Sequence, residues 1–168
     1  MIFTDDLAKK VINDNHEVQK KLILEFGKDC FIDGIYNAKY ISEIVFSDEN
    51  KLEQLNKIVI PVVIDELIKE VELLQNSSKG LIFVESALLY EFNLEDGFDY
   101  IISVSSKLEN RKNRIKQDFH KRITSQISQE EKNSLADFIV ENDKNLAELD
   151  RVANFIIAIL ETLPNREQ

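Results

Sequence analysis

The sequence predicts an α/β fold in which a mostly parallel sheet is layered against helices. Three observations carry that prediction. Short apolar runs, "LIFVE" (81–85), "FDYIISV" (98–104) and "DFIVEN" (137–142), have the length and composition of buried strands. Longer stretches around them repeat apolar residues at helical spacing. Only four Gly and two Pro punctuate 168 residues, so helices should be long and loops few. Strands that alternate with helices favour parallel pairing.

Element by element, residues 1–3 read as the tail of a strand, and "TDDLAKKVI" begins a helix with Thr4 or Asp5 as its cap. The stretch "HEVQKKLILEF" (16–26) sets Val18, Leu22, Leu24 and Phe26 near one helical side, and Gly27 ends it. "AKYISEIVF" and "ENKLEQLNKIVI" follow as short helices with a break near Ser47. From Pro61 to Gln75 another helix repeats Val62, Ile64, Leu67, Ile68, Val71 and Leu74, with Pro61 in the first turn where no N–H is needed. "NSSKG" turns the chain into "LIFVE". Residues 107–132 are polar, charged and helical in pattern. The last segment, 146–163, carries a stripe of Leu149, Val152, Phe155, Ile156, Ile159 and Leu160.

Composition narrows the function. The length suits one domain, 1–168, with a sizeable core. A net charge of −10 argues against a broad nucleic-acid footprint or adhesion to an anionic membrane. It leaves room for a small anionic ligand, which needs only a few local donors. The single cysteine, Cys30, has no partner for an internal disulfide, so a reducing cytoplasm is the expected compartment. No apolar run approaches the ~20 residues of a membrane span. His16 and His120 are far apart in sequence and lack Cys partners, which argues against zinc.

Several short motifs, in order, resemble the dephospho-coenzyme A kinases of the P-loop kinase fold. "MIFTDDLAKKVI" looks like that family's second strand and following helix, with Asp5, Ala8 and Lys9 as its acid, small residue and base. The stretch from Phe26-Gly27 through Gly34 and Phe46 to Pro61 resembles the helical substrate lobe. "VESALLYE" is similar to a strand-end acid followed by a Leu-Leu-aromatic-Glu run. "KRITSQISQEEK" looks like the Arg-Ile…Gln…Glu-Lys segment of a lid, and "ADFIVEN" like the last strand. The resemblance implies a three-layer parallel sheet flanked by helices, a helical substrate lobe at about 14–60 and a short lid at about 107–128. It departs at Ile60, where the family usually has His before Pro, and at Lys144, where a Gly commonly stands.

The same resemblance implies the chemistry. The family moves a phosphoryl group from ATP, with Mg2+, to the 3′-hydroxyl of dephospho-coenzyme A, the last step of coenzyme A biosynthesis. Asp5, at the end of a parallel strand, would accept the proton of the attacking hydroxyl. Its plainer role is a helix cap. Glu85 would hold metal-bound water, its plainer role being an exposed strand-end carboxylate. Arg111, Arg114 and Arg122 would close over the ATP phosphates, where bidentate forks stabilise spread charge. Otherwise they belong to a solvated helix face. Asn142 would touch adenine.

Nowhere in the 168 residues is there a GxxxxGK followed by Ser or Thr, the loop that cradles nucleotide phosphates. Met1 falls where the family's second strand stands. The expectation is therefore a chain without the first, central strand and its phosphate loop, and without kinase turnover on its own. Strands 81–85 and 98–104 would then either pair with each other in a four-stranded sheet or leave edges for another chain to fill. Two other functions compete: a non-catalytic coenzyme A-binding or regulatory module, and another nucleoside or nucleotide kinase of the same fold.

Overall fold

The computed structural model describes residues 1–77, 80–114 and 126–164, in two compact units, Met1–Ser86 and Ala87–Gln168. In the first, β1 (Ile2–Phe3) leads into α1 (Thr4–Asp14) and α2 (His16–Phe26). A 3-10 turn, Lys28–Cys30, precedes the hairpin β2 (Phe31–Ile32) and β3 (Ile35–Tyr36). Then come α3 (Ala38–Val45), the long α4 (Glu49–Ser77) and β4 (Val84–Glu85). β4 pairs in parallel with β1, Ile2 opposite Val84 and Phe3 opposite Glu85.

Helical spacing explains the core of this unit. Leu7 and Val11 of α1, Val18, Leu22 and Phe26 of α2, and Val59, Val63 and Leu67 of α4 each recur at four-residue steps, and all are buried. Leu24 leaves the expected stripe and is 89% exposed, because it lies about 160° around the helix from both Leu22 and Phe26. Asn15 separates α1 from α2 by capping the second, its Oδ1 accepting from the N–H groups of Glu17 and Val18 at 3.0 and 3.1 Å. Asp48 does the same for α4, accepting from Asn50 and Lys51.

Pro61 corrects the sequence reading. It lies inside α4, which runs unbroken from Glu49, so the two helices expected on either side of it are one. A proline in a helix interior costs about 3 kcal/mol. Val59 and Val63 flank it on one buried face, and continuous packing of that face outweighs the local preference. The expected break near Ser47 is present, between α3 and α4.

The second unit holds two 3-10 turns (Tyr90–Phe92 and Glu95–Gly97), β5 (Ile102–Ser105), α5 (Leu108–Arg114), α6 (Gln129–Leu135), β6 (Phe138–Glu141) and α7 (Leu146–Leu160). β5 and β6 are parallel, from Ile102 opposite Phe138 to Ser105 opposite Glu141. Val140, Ile156 and Leu160 are buried, and so is Ser103, whose hydroxyl bonds Asn133 on α6 at 2.7 Å. Phe155, expected on the α7 stripe, is 66% exposed. The helical pattern expected over 107–132 is realised in α5 and in the start of α6, with 126–128 non-helical between them. Among the described residues the ladders are β1–β4, β2–β3 and β5–β6. The four-stranded sheet made by joining the 81–85 and 98–104 strands is not among them. No helix of the described residues is long and apolar enough to cross a membrane.

Candidate functional site

In the first unit, parallel pairing gathers two carboxylates. Phe3 ends β1 opposite Glu85, and Asp5 follows two residues later in the first turn of α1. Both acids therefore stand at the carboxyl end of one parallel pair, where open α/β sheets place ligands. Thr4 and Asp5 do not cap α1. Phe3 holds the cap position, with extended backbone and no side-chain hydrogen bond. Asp5 is thus inside the first turn, where its charge also suits the positive end of the helix.

Partial burial, then the negative charge of Asp5, then that of Asp6, hold Glu85 above the ordinary carboxylate range. Glu85 remains at an exposed strand end, so water screens part of that effect. Asp6 is turned to other work, accepting from Lys9 Nζ at 2.8 Å. Lys10 reaches Glu66 and Glu70 on α4 at 3.6 and 3.3 Å and so ties α1 to that helix. No group of three or more His, Cys, Asp or Glu among the described residues is placed to hold a metal. Glu85 is the carboxylate of this strand end that would hold Mg2+, through water.

The second unit gathers a different pair. Arg114, on α5, donates from Nη2 to the carbonyl of Asn142 at 2.8 Å. Asn142 follows β6, and its own N–H bonds the Ser105 carbonyl at 2.7 Å. It lines a surface depression of ≈ 230 Å³ with Lys144, Glu148, Leu149 and Val152. Arg111 lies one turn earlier on α5. Arg122 lies outside the described residues. The lid range 107–128 is described only at its two ends.

Two features escaped the sequence reading. Lys132 on α6 forms an ion pair with Glu91 at 3.2 Å, with side chains only 17% and 14% exposed, and also donates to the Ala87 carbonyl at 2.8 Å. Glu91 accepts the Ile127 N–H as well, while its other oxygen is buried without a partner among the described residues. Both residues stand in motifs already noted, the Leu-Leu-aromatic-Glu run and the Glu-Lys segment. Only three-dimensional proximity makes them one feature. The other is Asp143, whose carboxylate draws three donors and is held down to about 2 by Asn110, Ser106 and the Lys107 N–H.

Comparison with known proteins places the chain. The sequence model for dephospho-CoA kinase matches residues 1–148. A dephospho-CoA kinase of Listeria monocytogenes serotype 4b is 32% identical over 165 residues, spanning 93% of this chain and 82% of that protein. One from Fusobacterium nucleatum is 33% identical over 156 residues, with 88% and 79% covered. Among solved structures, TT1252 from Thermus thermophilus superposes with a TM-score of 0.75 at 27% identity, covering 95% of this chain and 83% of that one. Dephospho-CoA kinase from Campylobacter jejuni gives 0.70 at 24% identity, with the same coverage, and so shares the fold. The mixed α/β fold with parallel strands agrees with both. With a family match over most of its length and relatives above 30% identity, the chain belongs to the dephospho-CoA kinase family, a family of phosphotransferases.

Proposed function

We propose that the first unit binds dephospho-coenzyme A and presents its 3′-hydroxyl to Asp5. The observation that carries this reading is the shared strand end of Asp5 and Glu85, with Glu85 raised first by partial burial and then by its neighbour's charge. Asp5 hydrogen-bonds the hydroxyl, aligns its oxygen for in-line attack and takes its proton. Glu85 orients water around Mg2+, which when bound neutralises charge on the ATP phosphates. Arg111, Arg114 and Arg122 stabilise the transferring phosphoryl group, and Asn142 lies on the adenine side.

These 168 residues contain no GxxxxGK(S/T) sequence, the loop that supplies backbone N–H groups and a lysine to nucleotide phosphates. Phosphoryl transfer depends on positioning and electrostatic stabilisation, and each lost oxyanion-type contact costs about 2.7–4 kcal/mol. The proposal is therefore acceptor binding without turnover by this chain alone. That observation equally favours a second reading, a coenzyme A-binding module with a regulatory role. β4 and β5 each have one ladder partner among the described residues, so their free edges offer a route to self-association, read by sedimentation against concentration.

Calorimetry with dephospho-coenzyme A, paired with a coupled ADP-release assay, tests the reading. Binding that weakens in Asp5→Asn, with no ADP release from the parent chain, is the expected result. Normal turnover overturns the inactivity, and no binding of dephospho-coenzyme A overturns the acceptor site.

A further inference from the structure

The turn after β6 does more than connect β6 to α7. Asp143 Oδ1 accepts three hydrogen bonds: from Ser106 Oγ at 2.7 Å, from the Lys107 N–H at 2.8 Å and from Asn110 Nδ2 at 3.0 Å. Those donors precede α5 or occupy its first turn, so an acid more than thirty residues away serves that helix as a cap. The residue before it, Asn142, reaches the same helix through the Arg114 guanidinium, and its N–H is fixed to Ser105. One dipeptide thus ties down both the start of α5 and its Arg114 side chain.

We infer that Asn142–Asp143 is a clamp on α5, with Asp143 the positioning residue that presents Arg114 to a phosphate-bearing ligand. A guanidinium offers five N–H donors, and the Asn142 carbonyl takes one, leaving the fork oriented. An approaching phosphate meets a donor already held in place, which saves side-chain ordering on binding. The very low titration of Asp143 agrees with this geometry, since three donors favour its charged form. The identity of the ligand as a nucleotide rests on the function proposed above. The clamp itself does not.

The test uses the 168-residue chain labelled with 15N, titrated with ADP, in the parent, Asp143→Ala, Asp143→Asn and Arg114→Met. The Arg114 side-chain signal of the parent shifts on adding ADP. In Asp143→Ala, with far-ultraviolet circular dichroism retained, amide exchange over 107–111 accelerates at least tenfold and ADP binding read at Arg114 weakens about fivefold. Asp143→Asn keeps an acceptor oxygen in place and recovers both to within about threefold. Loss of ADP affinity caused by Asp143→Ala disappears when Arg114 is already Met, as coupling requires. The clamp is overturned if exchange over 107–111 is unchanged in Asp143→Ala. Its presenting role is overturned if that substitution costs the same affinity with and without Arg114, or if the parent's Arg114 signal ignores ADP. Failure of the acceptor-site reading is distinct from these outcomes, because dephospho-coenzyme A calorimetry reports it separately.

Discussion

The two units hold their candidate residues by different physics. In Met1–Ser86 the acids ride on elements of a unit with an apolar core, in which Leu22 and Val18 are almost wholly buried. In Ala87–Gln168 the described core is thinner, and polar contacts do the fixing: the Glu91–Lys132 pair, Ser103 with Asn133 and Gln129, and the three donors on Asp143. Apolar packing is written in sequence as a period. Polar cross-links between distant residues are not. The first unit should therefore fail when volume is removed, and the second when a donor or acceptor is removed.

Leu22→Ala should give the largest effect. The side chain has no exposed surface, so truncation should cost about 2–5 kcal/mol, read as a lower urea midpoint with unchanged slope. A loss under about 1 kcal/mol would break the idea of a packed first unit.

Lys132→Met comes next. It leaves Glu91 largely buried beside an idle oxygen, and breaking a buried pair costs about 3–5 kcal/mol, less here because both side chains keep some water contact. The double change Glu91→Leu with Lys132→Met should cost less than Lys132→Met alone. A double cost equal to the sum of the two single costs would show that the pair is not coupled.

These two changes also show what the sequence could and could not disclose. Leu22 was legible because Val18, Leu22 and Phe26 recur at four-residue intervals, and Glu85 because an apolar run ended on an acid. Ser128 and Asn145 cap α6 and α7 by the same local logic that named Thr4, though at α1 the cap fell one residue earlier, on Phe3. Pro61 misled because a local rule met a continuous buried face. Glu91 with Lys132 and Asp143 with Asn110 were illegible for another reason: their partners lie 41 and 33 residues apart, and no periodicity joins them.

Glu85→Gln should have a smaller and opposite effect. Folding raises this carboxyl's pKa, so the folded chain holds its proton more tightly than the unfolded chain does. That contribution is full below the ordinary carboxylate range and is lost as pH rises through the folded value. At neutral pH the amide variant should unfold at a higher temperature than the parent, with the gap closing in acid. A parent that is more stable than the variant at pH 7 would remove Glu85 from a field of like charges.

The smallest effect belongs to Asp143, with the opposite sign. Its depressed pKa stabilises the fold above the ordinary carboxylate range, and that contribution is lost as pH falls toward about 2. Asp143→Asn should flatten that acid limb without steepening the neutral one. An unchanged limb would show that its donors do not hold in solution.

The most direct test of the central claim, that Asp5 and Glu85 share one ligand-facing strand end, is a 13C titration of the Glu85 carboxyl in the parent and in Asp5→Asn. The account predicts a Glu85 midpoint above the ordinary carboxylate range in the parent that falls when Asp5 loses its charge. A midpoint that stays where it was in Asp5→Asn would mean that the two acids do not sense each other, and would contradict the shared site.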